Sequence, residues 1–496
     1  MKKLYRFSAI ALLVLPLVFT SCSDYLDRDD DDNITEADVF ARYEKVNGLV
    51  SDVYAAAKKA DRPLVFFEHF SNSAITDECE GTNVEGNITN NFNNGAWNPN
   101  SLPGSVGQYW EALYEGIRKA NLIIENVQKY NTPDNPQQDG DLRNRIGEMY
   151  FMRGYFHMLL LRMYGEAPYI DRVINAGDNM DFKKESVHSM VEKIVTDAQT
   201  AYGMVPNKYV KTSENFGRVD KGACLGLISF VRWVAATPLW NGASQYGYNL
   251  RRVFENEYAY DATRWRKAKE AAKAVLDFEV GGTKRYSLYT KHDANDFKDP
   301  ADGNLNDSRV YARLWDMFYD MDAFANEYVF FMTKSKDQAW QGDIYPPSRE
   351  GSSRQQPVQE QVDEYEYIVG DYGYPVYSAE ARKGGYDDTN PYVKGTRDPR
   401  FYRDVIYHGA PYRNNKNESK TINTASGSDK IGATNATTTG YYLRKFQQES
   451  WNKSGNFSIN APAIWRLPEF IYIYAEACNE LGEDIDEAYK LSLIHI

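Results

Sequence analysis

Residues 142–168 read LRNRIGEMYFMRGYFHMLLLRMYGEAP. Leu142, Ile146, Met149, Arg153, Phe156, Leu160 and Met163 recur at alternating steps of four and three, the period of a helix with one face turned inward. The run stops at Gly165, and Pro168 beyond it blocks resumption. The same stripe appears on both sides of this segment. Upstream, Thr35 with Asp38 makes a capping-box-like start before Val39, Tyr43, Val46, Val50, Val53 and Ala57. A second stripe holds Val106, Tyr109, Trp110, Leu113, Ile117, Ile124 and Val127. Downstream come Val187, Val191, Ile194 and Ala198, and then a helix from Asp220 through Ala223, Leu227, Val231 and Val234 that ends before Pro238. A sixth helix, capped by Asp261, presents Trp265, Ala268, Ala272, Val275 and Leu276. These stripes are core, and no residue on them is assigned chemistry.

Between about 285 and 460 the helical period disappears into Tyr, Asn, Gly, Asp and Pro, with strand-like runs such as Tyr328-Val329-Phe330-Phe331. Loops this long inside a compact chain usually carry function. Helical pattern returns at Leu467, Phe470, Ile471, Tyr474 and Cys478, and Leu491 to Ile496 stop in mid-helix without a cap. The expected fold is mostly α. A helical scaffold covers 35–284, a loop-rich insertion with short strands covers 285–460, and helices return to the scaffold over 461–496, where the chain is expected to be incomplete.

The N-terminus reads as an export signal. Lys2, Lys3 and Arg6 precede an apolar run from Phe7 to Phe19, and Thr20 and Ser21 lead to Cys22. The run is shorter than the roughly 20 residues a membrane-spanning helix needs. A signal over 1–21 that ends in two small residues and a cysteine predicts lipid on Cys22; the alternative is plain secretory cleavage near Ser21. Residues 22–34 contain Asp24, Asp27, Asp29, Asp30, Asp31 and Asp32 against Arg28, a tether that repels itself. Beyond that bland role, the run reads as a signal for the outer face of an outer membrane.

The net charge is −13, and Lys2, Lys3 and Arg6 are the only charges in 1–21, so the chain from Cys22 onward carries −16. Nucleic acid is therefore not an expected partner. Cys79, Cys224 and Cys478 remain after Cys22, an odd number that implies no disulfide framework. Cys224 and Cys478 fall in helical patterns and are expected to be buried, inert thiols. No nucleophile elbow, zinc-binding His-Glu-x-x-His or phosphate loop occurs, and the six histidines lie singly. Asp302, Asn304, Asn306 and Asp307 alternate, but without the glycine of a Ca²⁺ loop they read as a solvated turn. No cofactor or metal is expected, and no catalytic residue is assigned. The 38 Tyr, 23 Phe and 9 Trp make 14% of the chain, a supply of rings that suits stacking on sugars once the core is filled.

Several segments in order resemble the SusD/RagB family of outer-membrane glycan-binding lipoproteins. They are Arg153-Gly154-Tyr155-Phe156 with Tyr164-Gly165-Glu166-Ala167-Pro168, Gly217-Arg218-Val219-Asp220-Lys221-Gly222-Ala223, and Ala236-Thr237-Pro238-Leu239-Trp240-Asn241-Gly242. Trp265 to Val275 follows, then Pro357-Val358-Gln359-Glu360-Gln361-Val362-Asp363 and Arg397-Asp398-Pro399-Arg400-Phe401. Gly440 to Phe446, and Arg466-Leu467-Pro468-Glu469-Phe470 with Tyr474-Ala475-Glu476-Ala477, complete the series. The resemblance implies four tetratricopeptide-like helix pairs carrying a loop-rich insertion. It also implies a nutrient-uptake role in which a lipid-anchored surface protein binds oligosaccharide or polysaccharide without cleaving it. Such a protein passes its cargo to a TonB-dependent outer-membrane transporter. A peptide-binding scaffold is the alternative, and a surface glycosidase a more distant one. The motif arginines are expected to satisfy buried carbonyls and helix ends. Candidate ligand contacts are instead rings on irregular segments with polar neighbours: Trp97 with Asn93 and Asn94, and Trp340 and Tyr345 with Arg349.

Overall fold

A computed structural model of the protein describes residues 35–60, 70–82, 88–96, 98, 100, 104–130, 136–209, 214–243, 254–289, 318, 321–332, 342–393, 395–413, 419–446 and 463–493. Among these, the longer helices are α1 (Tyr43–Ala60), α2 (Gly104–Tyr130), α3 (Pro136–Tyr164), α4 (Val187–Met204), α5 (Lys221–Ala236), α6 (Ala262–Leu276), α7 (Leu467–Leu481) and α8 (Ile485–Leu493). Each packs against the next along the chain, so they form a row of four helical hairpins. The fold is mostly helical with small strands in the loop regions, as the periodicity predicts.

The predicted caps are in place. Asp220 accepts from Ala223 N (3.1 Å) and Asp261 from Thr263 N (2.9 Å). Thr35 and Asp38 cap one another, with Asp38 N donating to Thr35 Oγ1 at 3.2 Å and Thr35 N to Asp38 Oδ2 at 3.0 Å. That cap serves a separate short helix, Glu36–Phe40. The chain breaks at Ala41 and Arg42, and the stripe resumes in α1, which buries Val46, Val50, Val53 and Ala57.

The central helix is α3. It touches α1, α2 and α4, and every residue from Phe151 to Leu161 is buried. A helix enclosed on all sides must pair its polar groups internally. Arg153 does so fully: Nε and Nη2 donate to Asp197 of α4 (2.8 and 2.6 Å), and Nη1 donates to Asn121 Oδ1 (2.9 Å) and the Asp171 carbonyl (2.8 Å). One turn on, His157 bridges Arg153 O through Nδ1 (2.9 Å) and accepts from Ile170 N through Nε2 (3.0 Å), its ring stacked on Tyr169 at 3.7 Å. These contacts fold the exit segment 165–170 back along the helix. Gly165 makes that reversal at φ +70°, and a Cβ there would meet the Trp240 ring at 2.9 Å.

Five strands position the insertion: β1 (Ile75–Thr76), β2 (Cys79–Gly81), β3 (Tyr328–Phe331), β4 (Gln355–Pro357) and β5 (Ala463–Arg466). β3 and β5 pair antiparallel, with Phe330 opposite Trp465. Trp465 then packs edge-on against Tyr155 of α3 at 5.8 Å. The outgoing and returning chains are thus clamped together on the scaffold's most enclosed helix. The insertion has its own core of Tyr345, Val362, Phe401, Val405, Ile406, Tyr407, Tyr412, Tyr441 and Tyr442. Cys79, Cys224 and Cys478 are free and buried, and burial pushes the Cys79 thiol up to about 12. No described helix is long and apolar enough to cross a membrane.

Candidate functional site

Residues 70–82 and 88–96, which precede α2 in sequence, leave the helical layer and join the insertion. β2 pairs with β1 on one edge and with β4 on the other, in the register Cys79↔Pro357, Glu80↔Gln356 and Gly81↔Gln355. Two fully buried glutamines lock this three-stranded sheet. Gln355 Oε1 accepts from Ser71 N (2.9 Å) and Oγ (3.0 Å). Gln356 Nε2 donates to Thr82 Oγ1 (3.1 Å) and to the Ser353 carbonyl, while its Oε1 accepts from Thr438 N (3.3 Å) and Oγ1 (3.1 Å). The Gln356 amide meets donors and acceptors around Thr82, Ser353 and Thr438, so one residue holds three segments in register. Asn93, ending the short helix Ile88–Asn93, donates to the Ala74 carbonyl beside β1 (3.2 Å). The two regions that carry the candidate contacts therefore meet through this sheet, although they lie far apart in sequence.

The individual candidates differ. Trp97, Trp340 and Cys22 lie outside the described residues. Asn94 is exposed, and Asn93 is exposed with its amide engaged as above. Tyr345 does not meet the expectation of an open ring: it is 2% exposed and packs against Tyr412 (centroids 6.0 Å, 68°). Arg349 is also buried, its Nη2 donating to the Tyr412 carbonyl (3.0 Å) and its guanidinium over the Tyr412 ring at 5.5 Å. The insertion builds much of its core from tyrosines alongside Val362, Val405 and Ile406, so a ring on an irregular segment here does not mark a surface. Arg349 joins Arg153, Arg397 and Arg444 among buried arginines that satisfy carbonyls, the role expected for the motif arginines.

What does face solvent follows directly from β4. The short helix Gln359–Asp363 begins two residues after Pro357, and Arg397 holds its end by donating to the carbonyls of Val362 (2.6 Å) and Tyr365 (2.7 Å). Gln359 and Asp363, four apart and therefore on one face, are joined by a Gln359 Nε2 to Asp363 Oδ1 bond of 2.7 Å. A carboxylate only accepts, which fixes the amide orientation and turns Gln359 Oε1 toward Tyr441, whose hydroxyl donates at 2.7 Å. The Tyr441 proton is then committed, so Tyr392 donates to the Tyr441 hydroxyl. At the other end Tyr377 OH donates to Asp363 Oδ1 (3.3 Å). Burial, followed by the Asp363 charge, pushes the Tyr377 phenol up to about 12, so it stays a donor at neutral pH. The Tyr377 ring is 55% exposed and stands at right angles to Tyr386 (6.1 Å). Tyr372, on the neighbouring hairpin 367–374, is still more open.

This line of phenols, amide and carboxylate beside open rings can stack on an apolar face while giving and taking hydrogen bonds at its edge. Reasoning from sequence passed over Gln359, Asp363, Tyr377, Tyr392 and Tyr441. The available signal was the polar pair at i and i+4 within the Pro357–Asp363 motif, which no core needs. Among the described residues, no group of three His, Cys, Asp or Glu side chains could hold a metal ion.

Comparison with known proteins agrees with this architecture. Residues 24–231 match a family profile described as starch-binding associating with outer membrane, and residues 315–492 match the profile of the SusD family. SusD-like protein P2 of Formosa agariphila is 24% identical over 202 residues, 40% of this chain and 38% of the relative, so the match spans well under half of that protein. A SusD-like protein from Bacteroides fragilis superposes with a TM-score of 0.69 at 18% identity, covering 94% of this chain and 79% of the other. A SusD-like carbohydrate-binding protein from the same species gives 0.68 at 14% identity, covering 91% and 78%. At these identities the structural likeness concerns the fold.

Proposed function

The chain belongs to the SusD/RagB family, and from that premise we propose that it captures oligosaccharides at the cell surface and delivers them to a TonB-dependent outer-membrane transporter. Lipid on Cys22 holds it to the outer membrane, and it binds its cargo without cleaving it. The observation that carries the carbohydrate reading is the linked array that runs from exposed Tyr377 through half-buried Asp363 and exposed Gln359 down to buried Tyr441, beside the open ring of Tyr372. Sugars present apolar C–H faces ringed by hydroxyls that both donate and accept, and this surface offers a counterpart to each feature. The relative described as carbohydrate-binding supports the same class of ligand. A surface-held binding protein moves nothing across a membrane alone, so a transporter completes the reading.

Affinity electrophoresis against a panel of polysaccharides tests the first part. At least one glycan should retard the wild-type protein, and the mobility shift should shrink in Tyr377→Ala. Retardation by none, with affinity for peptides instead, would favour the peptide-binding alternative. Co-purification in mild detergent tests the second part, with a transporter expected in the eluate and a lone monomer counting against it.

A further inference from the structure

A groove formed by α5, β5 and α7 encloses about 450 Å³ on the helical scaffold, within the roughly 300–1,000 Å³ typical of small-ligand pockets. It uses none of the residues of the insertion surface. Trp233 from α5 and Tyr472 from α7 line it, with Ile464 and Ile473 as apolar neighbours. The indole is fixed in place, because Trp233 Nε1 donates to Glu476 Oε2 at 2.7 Å. Tyr472 is 47% exposed. Arg466 and Glu469 bring a donor and an acceptor into the same space.

Glu469 is the unexplained member. It stands in the first turn of α7, where the helix N-terminus favours negative charge. Among the described residues no group hydrogen-bonds its carboxyl, and burial pushes it up to about 7 against the pull of Arg162 and Arg466. The side chain is half-buried and lines the groove, so a ligand there meets a carboxyl that no described protein donor has taken. Nothing in the packing of α7 requires that arrangement, since Phe470, Ile471 and Tyr474 already provide its buried face.

We propose that this groove is a second carbohydrate site, sized for one or two pyranose rings, in which Trp233 and Tyr472 stack and Glu469 with Arg466 binds hydroxyls. The proposal rests on the reading of the protein as glycan-binding but not on the location of its main surface. A sugar is the occupant the lining fits, because two rings flank the space while Glu469, Glu476 and Arg466 bring both acceptors and a donor to it, the combination that a pyranose with its apolar face and ring of hydroxyls needs.

The test is titration calorimetry of the full chain with maltose, cellobiose, mannobiose and lactose at millimolar concentration, with melting curves for each variant. Wild type should bind at least one disaccharide. Tyr472→Ala and the near-isosteric Glu469→Gln should each weaken that binding by about tenfold, while Met180→Ala, an exposed apolar residue outside both surfaces, leaves it unchanged. Should Tyr472→Ala melt early, Glu469→Gln decides. No binding by wild type, or equal binding by a correctly folded Glu469→Gln, overturns the second site. Loss of the disaccharide with Tyr377→Ala instead would place it on the insertion and also overturn it. Polysaccharide retention is read separately, so failure of the main reading is distinguishable: wild type would then bind a disaccharide while no polysaccharide retards it.

Discussion

Arg153 and Asp197 meet through two parallel hydrogen bonds, Nε to Oδ2 at 2.8 Å and Nη2 to Oδ1 at 2.6 Å, between α3 and α4 with both side chains buried. Tyr169 adds a third donor to Asp197 Oδ2 at 2.7 Å. Such a pair specifies how two helices sit more than it adds net stability, yet losing one member strands the other's charge. Arg153→Met should therefore destabilise the fold by about 3–5 kcal/mol, whereas Arg153→Met with Asp197→Leu should recover much of that loss. Urea unfolding of the three proteins decides; equal stability of single and double variants would show that the stranded carboxylate is not the cause.

His157 should make the fold acid-sensitive. Burial, aided by the charges of Arg153 and Lys193, holds its imidazole down at about 3, while an unfolded histidine titrates near 6.5. Below about 6.5 the unfolded chain binds a proton that the folded chain refuses, so the stability present above that pH falls as pH drops toward 3. Protonation would also remove the lone pair that Nε2 offers Ile170 N. His157→Gln should flatten melting temperature against pH across this window by up to one proton, about 1.4 kcal/mol per pH unit. An unchanged slope would assign the acid response to carboxylates.

The candidate glycan contacts are tested ring by ring against a buried control. Tyr377→Ala, Trp97→Ala and Trp340→Ala should each cost about 1–2 kcal/mol of glycan affinity by calorimetry, and Tyr377→Ala should barely change melting because the ring is mostly open. Trp265, 2% exposed on α6, is the control. Its truncation should remove about 3–5 kcal/mol of stability. Early melting of Trp97→Ala and Trp340→Ala with unchanged affinity per folded molecule would make those two residues core.

Localisation is read at the N-terminus. Cys22→Ala should leave the protein unlipidated and absent from the outer membrane fraction. Replacing Asp24 to Asp32 aspartates by Ser should keep the lipid but lose surface display. Protease shaving of intact cells that releases the Ser variant as readily as wild type would exclude an export role for the acidic run.

The scaffold was legible because a buried helical face repeats every 3.6 residues, and Val46, Val191, Leu227 and Ala272 lie buried on their stripes. The insertion resisted the same reading for two reasons. Its strands are two to four residues long, too short for a local period to announce them, and some pair across large sequence distances, as Glu80 does with Gln356. Its interior is built from hydrogen-bonded glutamines and tyrosines, such as Gln355, Gln356 and Tyr442, which a hydropathy pattern assigns to the surface. That inversion also misplaced Tyr345 and Arg349 and hid Gln359 and Asp363.

The pairing of Phe330 with Trp465 has a consequence for how such a protein can change over generations. Because β3 and β5 close the insertion at its base, the chain between Phe331 and Ala463 is a loop whose ends are already joined. Doubling the length of a flexible loop adds only about 0.6 kcal/mol to its closure cost. The segment beyond the clamp can therefore drift through insertions, deletions and wholesale replacement, while the helical row is inherited intact beneath it.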